Sequence, residues 1–389
     1  MTLIEQAQAL QPYLAGLQRE FHENPEPSRA EKQTSARIVQ ELEKIGGWKV
    51  RPNVYGYGIL ADLDGAQPGK RVALRADMDA LQITEESGLP YASHNPGLMH
   101  ACGHDNHMTM LLGAAMLLAQ NKDKIQGSVR LIFQPAEELA PHGGARGMIA
   151  AGALQNVDAV FSLHVWPGLP MGTFGTRAGP LMAASDHFSV VVKGKSSHGA
   201  MPHMGCDAAV AGAQIVTALQ SIVSRNVDPM ESAVITIGRI QSGTRYNIVP
   251  ETCEFEGTCR TFDPAVRTLC RERFTQIANS IAAAMGCECD IHYEIGYDAV
   301  QNNAQMADYV LHTAAELFGE EKAVRVPCPA MTAEDFSFYL NEVPGSFAWL
   351  GLDEPGKLVW PLHSCRLATP ADILWRGSAL FTQMVLDMK

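Results

Sequence analysis

Asp186-His187-Phe188-Ser189-Val190-Val191-Val192-Lys193 is where the chain changes its grammar, and the reading of that stretch decides the fold. On its N-terminal side, helical and strand patterns alternate. Leu3, Ile4, Ala7, Leu10, Leu14, Leu17 and Phe21, interrupted by Glu5, Gln6 and Gln8, predict an amphipathic helix rather than a signal peptide. Ser28-Arg29-Ala30-Glu31 has the form of a capping box opening a second helix, with Ile38, Leu42 and Ile45 on its apolar stripe and Gly46-Gly47 as its stop. Strands are expected at residues 59–63 and 72–76, a helix at about 108–119, a strand ending at Phe133, and another over 157–163 ended by His164. Such alternation is the layer pattern of an α/β domain with a central mixed sheet.

From Phe188 onward the order differs. A strand at 188–192 is followed by a helix at 208–223 opened by Asp207, strands at 234–240 and 252–259, a helix started by Asp263-Pro264 and stopped at Met285-Gly286, and a strand at 289–295. The order βαββαβ describes a ferredoxin-like sandwich. Alternation of helix and strand resumes at Ala304, so the smaller domain is inserted in the larger one. The expected division is 1–185 and 297–389 for the α/β domain and 186–296 for the insert.

Composition bounds the function. A chain of 389 residues fits two to three domains and buries a large core. Its net charge of -12, without a Lys/Arg block, argues against nucleic acid or an anionic membrane as partner. No apolar run approaches the ~20 residues a membrane span needs, and a small-molecule substrate is the expectation left. Nine cysteines, odd in number and without repeated spacing or a CxxC pair, read as reduced thiols in a cytoplasm.

Chemistry concentrates in Cys102-Gly103-His104-Asp105-Asn106-His107, a thiol, two imidazoles and a carboxylate just before an apolar helical run. Cys102 alone would read as a small buried hydrophobe; His104 and Asp105 beside it turn the reading toward a metal ligand. His107 fits a packed or capping side chain as well as a functional one. Glu137-Glu138 follows the strand ending at Phe133 and precedes Gly143-Gly144, an odd setting for a solvated acidic turn. His164 and His363 stand near strand ends, where a satisfied core imidazole is the ordinary reading unless the fold converges them on Cys102. Asp77 and Asp79 follow a strand and are turn formers or site residues.

These segments also carry a resemblance. Arg75-Ala76-Asp77-Met78-Asp79-Ala80-Leu81, the 102–107 stretch, Gln134-Pro135-Ala136-Glu137-Glu138, His164, Ser197-His198-Gly199-Ala200-Met201-Pro202-His203, Asn247-Ile248-Val249-Pro250 and Glu334-Asp335-Phe336 occur in this order. Together they resemble the dinuclear amidohydrolases that include hippurate hydrolase, bacterial N-acyl-L-amino-acid amidohydrolases and plant indole-acetyl-amino-acid hydrolases, relatives of aminoacylase and carboxypeptidase G. The resemblance runs from about Phe21 to His363 and implies a catalytic domain interrupted by a lid and dimerisation domain, hence a homodimer.

Carried over residue by residue, the resemblance makes Cys102 a thiolate bridging two divalent ions, with His104 and His164 on one and Glu138 and His363 on the other. Such donors suit Zn or Mn, with Co or Ni as further candidates, better than Mg or Ca. Glu137 is then the general base that takes a proton from water and passes it to the leaving amine. Asp79 orients a ligand. His198 reaches a partner subunit's site and stabilises the oxyanion, and Asn247 and Arg260 contact the substrate carboxylate; His198 also fits a plain loop histidine. The implied activity is hydrolysis of the amide of N-acyl or N-aroyl L-amino acids. A dipeptidase or aminopeptidase on the same site is the alternative within enzymes, and a silent binding protein on the same fold is the alternative outside them. Two segments depart from the family's pattern: Ser364-Cys365-Arg366-Leu367-Ala368-Thr369 replaces a proline and an aromatic, acidic tail, and Ser196-Ser197 replaces a glycine pair. Both bear on substrate preference rather than on reaction type.

Overall fold

A computed structural model of the chain describes residues 1–388, which form two compact units. One comprises Met1–Leu181, Val300–Pro329 and the chain from Asp335 onward; the other comprises Met182–Ala299 with Ala330–Glu334.

The first unit is built on an eight-stranded mixed sheet, ordered Lys49–Arg51, Ile59–Asp64, Gln126–Gln134, Gln67–Asp77, Ala159–Pro170, Gly345–Asp353, Phe174–Thr176, Ala323–Arg325. Its middle is parallel, with Gln67–Asp77 between Gln126–Gln134 and Ala159–Pro170. The stretch from Val72 to Asp77 is buried throughout, as are residues 129–134 and 159–165 of its two neighbours. Continuous burial on both faces is the mark of central parallel strands. The helix His104–Gln120 is likewise buried on every side from His104 to Leu118, packed among Leu3–Glu23, Leu374–Asp387 and the sheet. A helix without a solvent face belongs at the centre of a core.

Three expectations are corrected here. The helix placed at 108–119 begins at His104, so His104 and His107 stand on its first turns. The strand expected to stop at His164 runs on to Pro170. The capping box at Ser28-Glu31 does not form: the helix starts at Lys32 with no side-chain cap, Ser28 donates to Asp79 Oδ2 at 2.6 Å, and Glu31 Oε1 accepts from the backbone N–H of Ala136 at 2.8 Å. Bonds to distant residues have won over the local motif.

The second unit has a four-stranded antiparallel sheet, ordered Ala233–Ser242, Thr252–Thr261, Ala184–Lys193, Glu288–Tyr297, with helices Ala208–Arg225 and Pro264–Ala284. In chain order these strands stand second, third, first, fourth, the ferredoxin-like arrangement. Phe188, Val190 and Val192 alternate inward and pack with Ile215, Leu219 and Ile222 of one helix and Phe274, Ala278 and Ala282 of the other. Asp207 caps the first helix by accepting from Ala209 and Val210, and Asp263 caps the second through Ala265 and Val266. Among the described residues no helix is long and apolar enough to cross a membrane.

Candidate metal centre

The ends of the central parallel strands set the site, as open α/β sheets lead one to expect. Asp77 closes its strand in register with Gln134, Glu137 and Glu138 follow just beyond, and His164 lies opposite Trp349. Cys102 and His104 flank Gly103, whose φ of +87° turns the chain into the buried helix. A Cβ on Gly103 would lie 2.4 Å from Val165 Cγ2, so both the conformation and the close approach require glycine here.

Two clusters share the thiol. Donor atoms of Cys102, His104 and His164 lie within 4.8 Å of one another, and so do those of Cys102, Glu138 and His363. Cys102 Sγ is 3.4 Å from His164 Nε2, and Glu138 Oε1 is 3.4 Å from His363 Nε2 and 3.8 Å from His104 Nε2. His363 is exposed and takes a φ of +65°, with its N–H donated to Ala101 O at 2.7 Å beside Cys102. The structure thus brings all five sequence-derived ligand candidates together.

Hydrogen bonds fix which ring nitrogens face the cluster. His104 donates Nδ1–H to Asp79 O at 2.8 Å and His164 donates Nδ1–H to Val165 O at 2.6 Å. With Nδ1 committed in this way, Nε2 is the ring nitrogen that each histidine turns toward Cys102 and Glu138, and a cation bound there would take the place of any proton on it. Neither His104 Nε2 nor Glu138 Oε1 has a hydrogen-bond partner although both atoms are buried. Burial together with Glu138, Glu137 and Asp77 pushes the Cys102 thiol well above its usual range. Burial alone would lower His104, but Asp77, Asp79 and Glu138 outweigh it and hold the imidazole up at about 10. Protons held this tightly mark a pocket whose negative charge calls for a cation. A soft thiolate, bare imidazole nitrogens and an unpartnered carboxylate oxygen fit a borderline divalent ion.

Asp79 does not face the cluster alone. Its Oδ1 and Oδ2 accept from the backbone N–H groups of Glu137 and Glu138 at 3.0 and 2.9 Å, while its carbonyl orients His104. Asp77 pairs with His107 Nδ1 at 2.6 Å, and His107 Nε2 accepts from Val165 N at 2.9 Å. His107 is therefore a strut under the His164 strand. Sequence reading missed what lies beneath: Arg75, fully buried, donates to Asp77 Oδ2 at 2.7 Å, Gln134 Oε1 at 3.0 Å and Asp335 Oδ1 at 2.9 Å. Asp335 Oδ2 in turn accepts from the N–H groups of Gly144 and Ala145, both at 2.9 Å, closing the loop that carries Glu137 and Glu138. An arginine inside an apolar strand run was the signal available.

The unusual segment after His363 is tied down locally. Glu86 donates its N–H to Cys365 O at 2.7 Å and accepts from Arg366 Nη2 at 3.2 Å, and Leu367 is buried with Met99 and Ala101. The remaining candidates belong to the second unit. His198 is exposed on the short strand Ser197–His198, in register with Ile248, and its Nδ1 accepts from Ala200 N at 3.0 Å. Asn247 bonds Gly199 through its carbonyl at 2.8 Å, while its side-chain Oδ1 is buried without a partner. Arg260, half-buried, stands on Thr252–Thr261, and burial lowers its guanidinium below the usual value.

Residues 73–387 match the family model of peptidase family M20/M25/M40. The chain is 43% identical over 344 residues to an N-acetyl-L-cysteine deacetylase of Bacillus subtilis, covering 88% of this chain and 81% of that protein. It is 40% identical to thermostable carboxypeptidase 2 of Saccharolobus solfataricus, over 95% of this chain and 93% of that one. A crystal structure of a dinuclear metal-binding peptidase from the M20 family of Bacillus subtilis superposes with a TM-score of 0.84 at 34% identity, covering 97% of this chain and 98% of that chain.

Proposed function

The chain belongs to peptidase family M20/M25/M40, and from that premise we propose that it is a two-metal amidohydrolase cleaving N-acyl L-amino acids to a carboxylate and a free amino acid. The observation that carries this reading is the thiol of Cys102 shared by a His104–His164 cluster and a Glu138–His363 cluster. Cys102 would serve both clusters, with His104 and His164 holding one ion and Glu138 and His363 the other. Zn, Mn, Co and Ni match this donor set better than Mg.

When bound, the metal pair supplies Lewis acidity that polarises the amide carbonyl and acidifies water. Glu137, adjacent to a ligand but not needed as one, takes the proton of the attacking water and delivers it to the leaving nitrogen. Asp79 holds that carboxylate's backbone and the His104 ring at once, so base and ligand keep a fixed relation. His198 donates to the developing oxyanion: with Nδ1 accepting from Ala200, the neutral ring carries its proton on Nε2. We place that histidine in the site of a second copy of the chain, in a homodimer, with Asn247 and Arg260 meeting the substrate carboxylate. The nine cysteines, all unpaired in the structure, support a reducing cytoplasm as its location.

Peptide cleavage is the second reading, favoured by the likeness to a carboxypeptidase over nearly the full length of both chains. Metal-loaded protein assayed on N-acetyl and N-benzoyl amino acids beside unblocked dipeptides separates the two. Turnover of the blocked substrates supports the amidohydrolase, whereas an absolute requirement for a free α-amine gives the site to a dipeptidase or aminopeptidase.

A further inference from the structure

Glu31 lies outside both donor clusters, yet it is fully buried and one oxygen of its carboxylate is spent on the backbone. Oε1 accepts from the N–H of Arg29 at 3.0 Å and from the N–H of Ala136 at 2.8 Å, while Oε2 has no hydrogen-bond partner. Both donors are left-handed residues that are not glycine, with φ of +65° at Arg29 and +59° at Ala136. That conformation is disfavoured for any residue with a Cβ and persists only where its surroundings enforce it.

Ala136 is the residue immediately before Glu137. The strand ends at Gln134, Pro135 fixes its own φ, and the left-handed turn at Ala136 aims the N–H groups of Glu137 and Glu138 at Asp79. If Ala136 relaxed to the extended region, both carboxylates would leave the sheet in another direction. We propose that Glu31 is a positioning residue for the reaction, clamping the left-handed backbone at Ala136 so that Glu137 stands where a general base is needed. This rests on the assignment of Glu137 as the base. The same short segment supplies Ser28 to Asp79, so residues 28–31 brace the base loop at two points. Both N–H groups converge on the single oxygen Oε1, so the clamp needs an acceptor at that one position.

The test compares Glu31→Gln, Glu31→Ala and Glu31→Ala with Ala136→Gly, each loaded with metal and assayed for kcat, KM and metal content, with Glu137→Gln as reference. Misplacing a catalytic group by about 1 Å costs up to ~10²-fold. Glu31→Ala should therefore lower kcat by about 10- to 100-fold with KM within about threefold and both metals kept. Glycine adopts the left-handed conformation without penalty, so Ala136→Gly should recover about fivefold or more of that loss. Glu31→Gln keeps the side-chain volume and an acceptor but puts an amide NH2 where Oε2 is buried without a partner, and should lower kcat only about two- to fivefold while amide exchange over residues 135–138 speeds up. Unchanged kcat and exchange in Glu31→Gln, or a loss in Glu31→Ala that Ala136→Gly leaves untouched, overturns the proposal. Full activity of Glu137→Gln would instead sink the base assignment, and the exchange measurement would still decide whether Glu31 clamps Ala136.

Discussion

The Nε2 atom of His104 faces the Oε1 atom of Glu138 across 3.8 Å, and neither buried atom has a hydrogen-bond partner. With Nδ1–H donated to Asp79 O, the histidine turns its other ring nitrogen toward a carboxylate oxygen. In dry surroundings the two stay this close only with positive charge between them, a proton on Nε2 while the neighbouring carboxylates hold the ring up at about 10, or a metal ion in its place. A buried polar atom left unsatisfied costs on the order of 1–3 kcal/mol, more if charged, so the pair is arranged for an occupant. Cys102, His164 and His363 stand around it with compatible donors.

Metal content reads this directly. Chelation should abolish activity, and Mn, Zn, Co or Ni should restore it where Mg does not. Because Cys102 belongs to both clusters, Cys102→Ala should lose both ions, whereas Glu138→Gln should lose the ion it shares with His363. Elemental analysis finding two metals per chain in Cys102→Ala would remove the bridge from the account.

Gly103→Ala probes the turn between Cys102 and His104. The new methyl meets Val165 Cγ2 at 2.4 Å, and a φ of +87° is costly for an L-residue. Left-handed backbone costs roughly 1–2 kcal/mol, and overpacking typically adds about 1–3 kcal/mol. Denaturant titration should show a loss in that range, accompanied by weaker metal binding. Wild-type stability would mean the turn is softer than described.

His22 sets a pH dependence away from the metal cluster. It is buried between Asp105, 2.8 Å from Nδ1, and Glu85, 3.1 Å from Nε2. Burial lowers its pKa, but these two carboxylates outweigh burial and raise it from 6.5 to about 10. A folded pKa above the unfolded one gives stability that is complete below pH 6.5 and drains away as pH rises toward 10. The melting temperature should fall over that window in the wild type, and the deficit of His22→Gln relative to wild type should shrink as pH rises. A deficit that grows with pH would mean the ring is neutral in the fold.

The inserted unit was easy to read because its signals are local. Asp207 and Asp263 cap the helices they announce, and Phe188, Val190 and Val192 alternate as a one-sided strand must. The helix start at His104 was hidden because its first turns are polar yet buried, so apolar periodicity begins only at Met108. Ser28 and Glu31 imitate a capping box, but their side chains answer to Asp79 and Ala136. Arg75 and Asp335 lie 260 residues apart, and no local pattern joins them. Convergence of Cys102, His104, Glu138, His164 and His363 came from the resemblance rather than from periodicity, since spacing alone left His164 and His363 as ordinary core histidines.

The proposal that His198 acts in a second subunit is tested by mixing. His198→Ala should lower kcat by roughly 10²–10³, the usual loss for one oxyanion donor, with both metals kept. Exchanging subunits between His198→Ala and Glu137→Gln should regenerate activity, because one site of the mixed dimer then combines an intact base with its partner's intact histidine. A fully active monomer, or no recovery after verified exchange, would show that His198 does not act across an interface.

The most direct test of the central claim measures metal content and turnover together in Glu137→Gln, a substitution that removes a proton acceptor without removing a ligand. The account predicts two metals per chain, an unchanged melting temperature, and kcat on an N-acyl amino acid lowered by roughly 10²–10⁴, the range for a positioned general base. Turnover within about tenfold of wild type with both metals present, against the loss expected of a general base, would contradict it, as would loss of metal from this variant.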